Sequence, residues 1–148
     1  MSEVRATRQM AEESPSTFLL EIITPERLLL SEQVSEVIAP GTQGYFGVWP
    51  GHIPFVSNLT VGELTYRKGK EERNLAIIGG YAEVLPDRVV ILGEEAEKPE
   101  EIDVTRAEAA RERALTRLSK PTAETNLDRA DRALQRALIR LQVAAKKR

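Results

Sequence analysis

Asp103-Val-Thr-Arg-Ala-Glu-Ala-Ala-Arg-Glu-Arg-Ala-Leu-Thr-Arg-Leu118 returns 23 residues later as Asn126-Leu-Asp-Arg-Ala-Asp-Arg-Ala-Leu-Gln-Arg-Ala-Leu-Ile-Arg-Leu141. Alanine recurs at steps of three and four, which sets Ala107, Ala110 and Ala114 on one helical stripe and Ala130, Ala133 and Ala137 on another. Small stripes let two helices lie close together, so the repeat predicts a helical hairpin. Asp103 and Asn126 are both good N-caps, at equivalent places in the repeat. The first helix ends at Leu118-Ser119-Lys120-Pro121, and the second runs to about Ala145 before the basic end Lys146-Lys147-Arg148. Arginines flank both stripes. A charged hairpin with a narrow apolar seam has a modest hold on its surroundings, which makes it a candidate switch.

Upstream the composition changes. All 9 glycines and all 7 aromatic residues of this 148-residue chain lie before residue 101. Residues 101–148 hold 12 Lys+Arg against 7 Asp+Glu, net +5, while residues 1–100 hold 9 against 16, net −7. The basic half favours an acidic partner. Nucleic acid is disfavoured, because acidic residues are interleaved and no aromatic residue is there to stack on bases. No Cys and a single His exclude disulfides, thiolate metal sites and a His cluster. No long apolar run suggests a membrane span, and Met1–Ser16 is not expected to act as a signal peptide, since it lacks the apolar core that one requires.

Between residues 17 and 93 the chain reads as short β-prone runs punctuated by Gly, Pro and Asn. The expected strands are Thr17–Thr24, Leu28–Ala39, Val48–Trp49 with Ile53–Val56, Gly62–Arg67, Arg73–Gly79, Tyr81–Leu85 and Val89–Leu92. In Glu63-Leu64-Thr65-Tyr66-Arg67 the alternation predicts one wet face. The fold class is therefore α+β: an N-terminal antiparallel β-sandwich (17–93), an acidic linker (94–102) and a C-terminal antiparallel two-helix hairpin (103–148). Residues 1–16 read as a disordered or loosely attached extension.

Three segments carry a family resemblance. The glycine- and proline-rich run from Pro40 to Phe55 contains Gly44, Gly47, Val48, Trp49, Pro50, Gly51, His52 and Pro54 in the pattern Gly-x-x-Gly-(Ile/Val)-aromatic-Pro-Gly-His-x-Pro. Gly79-Gly80-Tyr81-Ala82-Glu83-Val84 fits Gly-Gly-x-x-Glu-Val, and Ile102-Asp103-Val104-Thr105-Arg106-Ala107 fits Ile/Leu-Asp-x-x-Arg-Ala. Together, in this order, they resemble the ε-subunit family of the F-type, proton-translocating ATP synthase, over roughly Thr17 to Leu141.

On its own chemistry the first run is a shaped surface loop, with no Gly-Lys-Ser/Thr phosphate cradle. His52 has no nucleophile motif near it, so a hydrolase is the remote reading beside turn packing or surface contact. The resemblance implies that Tyr45, Trp49, Pro50, Gly51 and His52 contact the γ subunit and the c ring. For the third motif, capping by Asp103 would suffice as an explanation. The resemblance adds an ATP site at Glu97, Ile102, Asp103, Arg106, Arg113, Arg136 and Arg140. Arginine forks suit phosphate oxygens, and nothing Walker-like accompanies them, so binding without hydrolysis is expected.

The resemblance further implies a non-catalytic rotor subunit of the central stalk, which couples c-ring rotation to the catalytic head of β and α subunits and restrains hydrolysis. Arg113, Arg117, Arg132, Arg136 and Arg140 are the expected β-subunit contacts in an extended hairpin, against the plain reading of a solvated basic face. No cofactor is required, and ATP acts as a regulatory ligand. The expected place is the cytoplasmic face of a bacterial plasma membrane, or less favourably a thylakoid membrane, reached only through the complex. The reading from another class is a free-standing nucleotide-sensing module.

Overall fold

A computed structural model describes residues 16–147; the expected extension, residues 1–16, lies outside the described residues except for Ser16. Seven strands come first: β1 (Phe18–Ile23), β2 (Leu28–Val34), β3 (Glu36–Gly41), β4 (Gly44–Val48), β5 (Phe55–Lys68), β6 (Glu71–Val84) and β7 (Arg88–Glu97). A single 3-10 turn at Pro99–Glu101 leads into helices α1 (Val104–Ser119) and α2 (Leu127–Ala144). The hydrogen-bonded order is β2-β1-β7-β6-β5-β3-β4.

That order explains the architecture. β2 and β3 lie far apart in the ladder, yet only Ser35 separates them in sequence. The sheet must therefore curl back on itself, and Ser35 bridges its two layers with its N–H donating to the Arg67 carbonyl at 2.8 Å. The expected single strand Leu28–Ala39 is thus two strands in different layers. One pairing, β1 with β7, is parallel within the otherwise antiparallel sandwich. The layers close on Leu20, Ile22, Val37, Leu64, Leu75, Ile77 and Ile91, all essentially without solvent contact.

Three further boundaries differ from the sequence reading. Much of the glycine run is strand, because Gly41 pairs with Gly44 in a tight β3–β4 hairpin, and the loop proper is Trp49–Pro54. The expected break at Gly79-Gly80 is a kink inside one continuous strand, with φ of +74° and +124°. Only glycine adopts both conformations cheaply. Last, β7 runs to Glu97, so Glu94–Glu97 belong to the sheet and the linker shrinks to the 3-10 turn and its flanks.

Tyr66, on β5, is nearly covered, and burial together with the nearby Glu32 carboxylate pushes its phenol up to about 12. A folded-state value raised above the unfolded 10.0 means that this stability is intact below pH 10 and is lost as pH rises towards 12. Tyrosinate absorbance during alkaline titration should show one late-titrating tyrosine, and replacing Tyr66 by Phe should remove about 2 kcal/mol of the stability loss over that interval.

Both helices start at the expected caps. The Asp103 carboxylate accepts the Arg106 N–H, and the Asn126 side chain accepts the Arg129 N–H, each at 3.0 Å. Ala107, Ala114, Ala130 and Ala137 are buried in the seam between the helices. The hairpin is folded onto the sandwich through α2. Val143 has no solvent exposure and packs with Ala76 of β6 and with Ile102, flanked by Ile139 and Ala144. Burying a valine there contributes about 1.5–3 kcal/mol.

Candidate functional site

The folded hairpin closes a cavity of about 500 Å³ between both helices and the end of β7. Arg106 and Arg113 reach it from α1, Arg136 and Arg140 from α2, and Glu95 and Glu97 from β7; Glu101 and Asp103 complete the polar lining. Its floor is Ala107, Ala110, Ala133 and Ala137. The alanine stripes thus do two things. They let the helices approach, and they leave room above the seam that larger side chains would fill.

Six of the seven residues expected at a nucleotide site meet in this cavity, namely Glu97, Asp103, Arg106, Arg113, Arg136 and Arg140. Ile102 does not line it. It is buried against Ala76 and Val143, where it anchors the base of the hairpin instead. Arg140 is the most constrained cation. Its Nε donates to Glu97 Oε1 at 2.5 Å and its Nη2 to Glu95 Oε2 at 2.6 Å. Among the described residues, Arg106, Arg113 and Arg136 make no ion pair, which leaves three guanidinium forks facing the cavity.

A second polar contact ties the last turns of the chain to the sheet. Glu63 is buried, its carboxylate taking Gln142 Nε2 at 2.9 Å and Lys146 Nζ at 2.8 and 2.9 Å. The face of β5 expected to be wet is the face that α2 covers. Sequence reasoning missed Glu63, Glu95, Glu101, Gln142 and Lys146. A basic C-terminal end below an acidic sheet was the available signal, but it does not identify partners one by one.

At the far end of the sheet, the loop after β4 exposes Trp49 and Ile53, with Tyr45, Phe55, Val56 and Tyr81 also exposed on the strands. His52 is the pin of this loop. Its Nδ1 lies 2.7 Å from the Trp49 carbonyl oxygen, its Nε2 faces the Leu85 carbonyl, and its ring meets Phe18 edge-on at 5.3 Å. With both ring nitrogens occupied by backbone, His52 holds the turn shape and is not placed as a catalytic base. Tyr45 is held from behind, its hydroxyl accepting the Glu63 N–H at 3.2 Å.

The five arginines expected to meet a β subunit divide into groups. Arg113, Arg136 and Arg140 face the cavity; Arg117 lies in a hollow at the hairpin turn with Thr125 and Arg129; Arg132 is exposed. Three of them therefore line the cavity while the hairpin is folded, Arg136 and Arg140 partly buried and Arg113 exposed at its mouth.

Two family models match in succession. The one described as "ATP synthase, Delta/Epsilon chain, beta-sandwich domain" covers residues 17–99, and "ATP synthase, Delta/Epsilon chain, long alpha-helix domain" covers residues 100–145. A curated ATP synthase epsilon chain of Syntrophobacter fumaroxidans is 59% identical over 127 residues, 86% of this chain and 95% of that one. One from Solibacter usitatus is 46% identical over 133 residues, 90% and 99% of the two chains. Among solved structures, a chain of the Euglena gracilis mitochondrial ATP synthase (OSCP/F1/c-ring) superposes with a TM-score of 0.75 at 27% identity, covering 88% of this chain and 82% of that one. A chain from the Tetrahymena thermophila central stalk and c ring shares the fold at 12% identity, with a TM-score of 0.52 and coverage of 87% and 94%.

Proposed function

The chain belongs to the ATP synthase delta/epsilon chain family, and from that premise we propose that it is a non-catalytic central-stalk subunit whose hairpin regulates hydrolysis. The sandwich attaches to the γ subunit and the c ring through the exposed loop around Trp49, Pro50, Gly51 and His52, with Tyr45 beside it. It couples ring rotation to the catalytic head, and the membrane is reached through the c ring. Exposed Trp49, Ile53 and Val56 support this reading over a free-standing module, since such a patch favours a protein partner.

The observation that carries the regulatory part is the cavity. Arginines from both helices and carboxylates from the sheet face one volume that exists only while the hairpin is folded. ATP bound there, through Arg106, Arg113, Arg136 and Arg140, stabilises the folded state by its differential affinity. A tenfold preference corresponds to about 1.4 kcal/mol, comparable to the burial of one valine. When the hairpin extends, Arg113, Arg136 and Arg140 lose the cavity that gathers them. With Arg117 and Arg132 they then meet an acidic surface of a β subunit and impede rotation. Folded and inhibitory states thus compete for the same arginines.

The test is hydrolysis by an ATP synthase depleted of its ε subunit, restored with the full chain or with a version ending at Glu101, each with and without excess ATP. The core of the sandwich lies wholly within the strands, so the shorter version retains it. The full chain should inhibit, ATP should relieve it, and the shorter version should bind without inhibiting. Binding of both without inhibition by either overturns the regulatory role. Failure of both to bind overturns the stalk assignment.

A further inference from the structure

The arginine cavity carries its own counter-ions, and they are unequal. Glu97 holds the Arg140 Nε with a side chain 26% exposed, whereas Glu95 holds Nη2 from the rim with a side chain 57% exposed. Arg140 itself is 24% exposed, which makes it the enclosed cation at the sheet side of the cavity. Two carboxylates around one guanidinium leave a local surplus of negative charge where a phosphate would approach it. The Glu97 pair is enclosed and weakly screened, and Glu95 adds a second, more screened carboxylate to it at the rim.

We propose that Glu95 is a competing carboxylate that sets the affinity of this site: a polyphosphate gains Arg140 by displacing Glu95, and the strength of the Glu95–Arg140 pair limits how tightly ATP binds. The inference rests on the ATP reading above and adds the residue that regulates it. Glu95 is suited to leave. Strand β7 ends at Glu97, and Glu95, like Glu97 and Glu101, also borders a second hollow beside the β1–β2 turn; at 57% exposure Glu95 is the carboxylate with open water beside it. Arg27 lines that hollow, already paired to Glu101 at 2.7 Å. Glu97 is the less exposed of the two carboxylates and stays in place to orient the guanidinium.

The experiment is calorimetric titration of the full chain with ATP, for the parent and for Glu95→Gln, Glu94→Gln and Arg136→Ala. Glu94 is the charge-matched control, since it borders the acidic hollow but not the arginine cavity. Glu95→Gln should bind ATP about three- to tenfold more tightly than the parent, with Glu94→Gln changing by less than about twofold. A gain of affinity cannot come from a damaged fold, which would weaken binding. Unchanged or weaker binding in Glu95→Gln, or an equal gain in Glu94→Gln, overturns the competition while leaving the ATP site standing if Arg136→Ala loses binding. No binding by any of the four proteins overturns the ATP site and the competition together.

Discussion

Val143→Asp should release the hairpin from the sandwich. Val143 is the most buried contact that α2 makes, enclosed with Ala76 and Ile102, and a carboxylate there would meet no cation at the centre of an apolar contact. Removing the valine forfeits about 1.5–3 kcal/mol, and leaving a charge buried would cost several more. The chain avoids the second cost by undocking, so the docking equilibrium constant should fall by roughly 30-fold or more. Hydrogen exchange over residues 139–144 should accelerate accordingly, with β5 and β6 unchanged. In the reconstituted enzyme the variant should inhibit hydrolysis more strongly, and ATP should relieve it poorly. Unchanged exchange would mean that Glu63, Gln142 and Lys146 hold α2 without the apolar contact. Their share should be smaller, because the Lys146 end of its pair with the buried Glu63 is 45% exposed and screened by solvent.

Gly80→Ala should have the largest effect on the sandwich itself. At φ +124° an added Cβ would stand 2.1 Å from the Leu92 carbonyl oxygen, in the backbone of the neighbouring strand. Neither the left-handed conformation nor the β6–β7 ladder yields easily, so the expected loss is about 3 kcal/mol or more, read as a fall in Tm of more than about 10 °C. Gly44→Ala is the informative comparison. Its φ is +125°, but no atom lies within 4 Å of the added Cβ, so it should lose only the conformational term of about 1–2 kcal/mol. Equal losses at the two sites would show that the clash at Gly80 relaxes.

The helical half was legible almost residue by residue. Caps at Asp103 and Asn126, the buried alanines and the turn at Ser119–Asn126 all follow from local rules that act within a few residues. The sheet was legible as strands but not as partners. Leu28–Ala39 carries an unbroken β signal, and only pairing to β1 on one side and β5 on the other reveals that Ser35 divides it. The strand was expected to break between Gly79 and Tyr81 because the positive φ that glycine supplies serves a strand break and a strand kink alike.

At the candidate site, six of the residues implied by the family resemblance line the arginine cavity and Ile102 does not, while Glu95 was unseen. Glu95 lies in an acidic run, Glu94–Glu101, where composition makes every carboxylate look alike. What distinguishes it is the Arg140 guanidinium 2.6 Å away, delivered from 45 residues further along the chain.

The sequence by itself determined that there would be strands followed by a capped, alanine-seamed hairpin, because helix periodicity, capping and turn chemistry are properties of neighbouring residues. Only the tertiary structure decided which face of β5 is covered, which arginines line the cavity and which carboxylates oppose them. Those outcomes depend on how α2 docks on the sheet, and that docking is a sum of small long-range terms that no local pattern encodes.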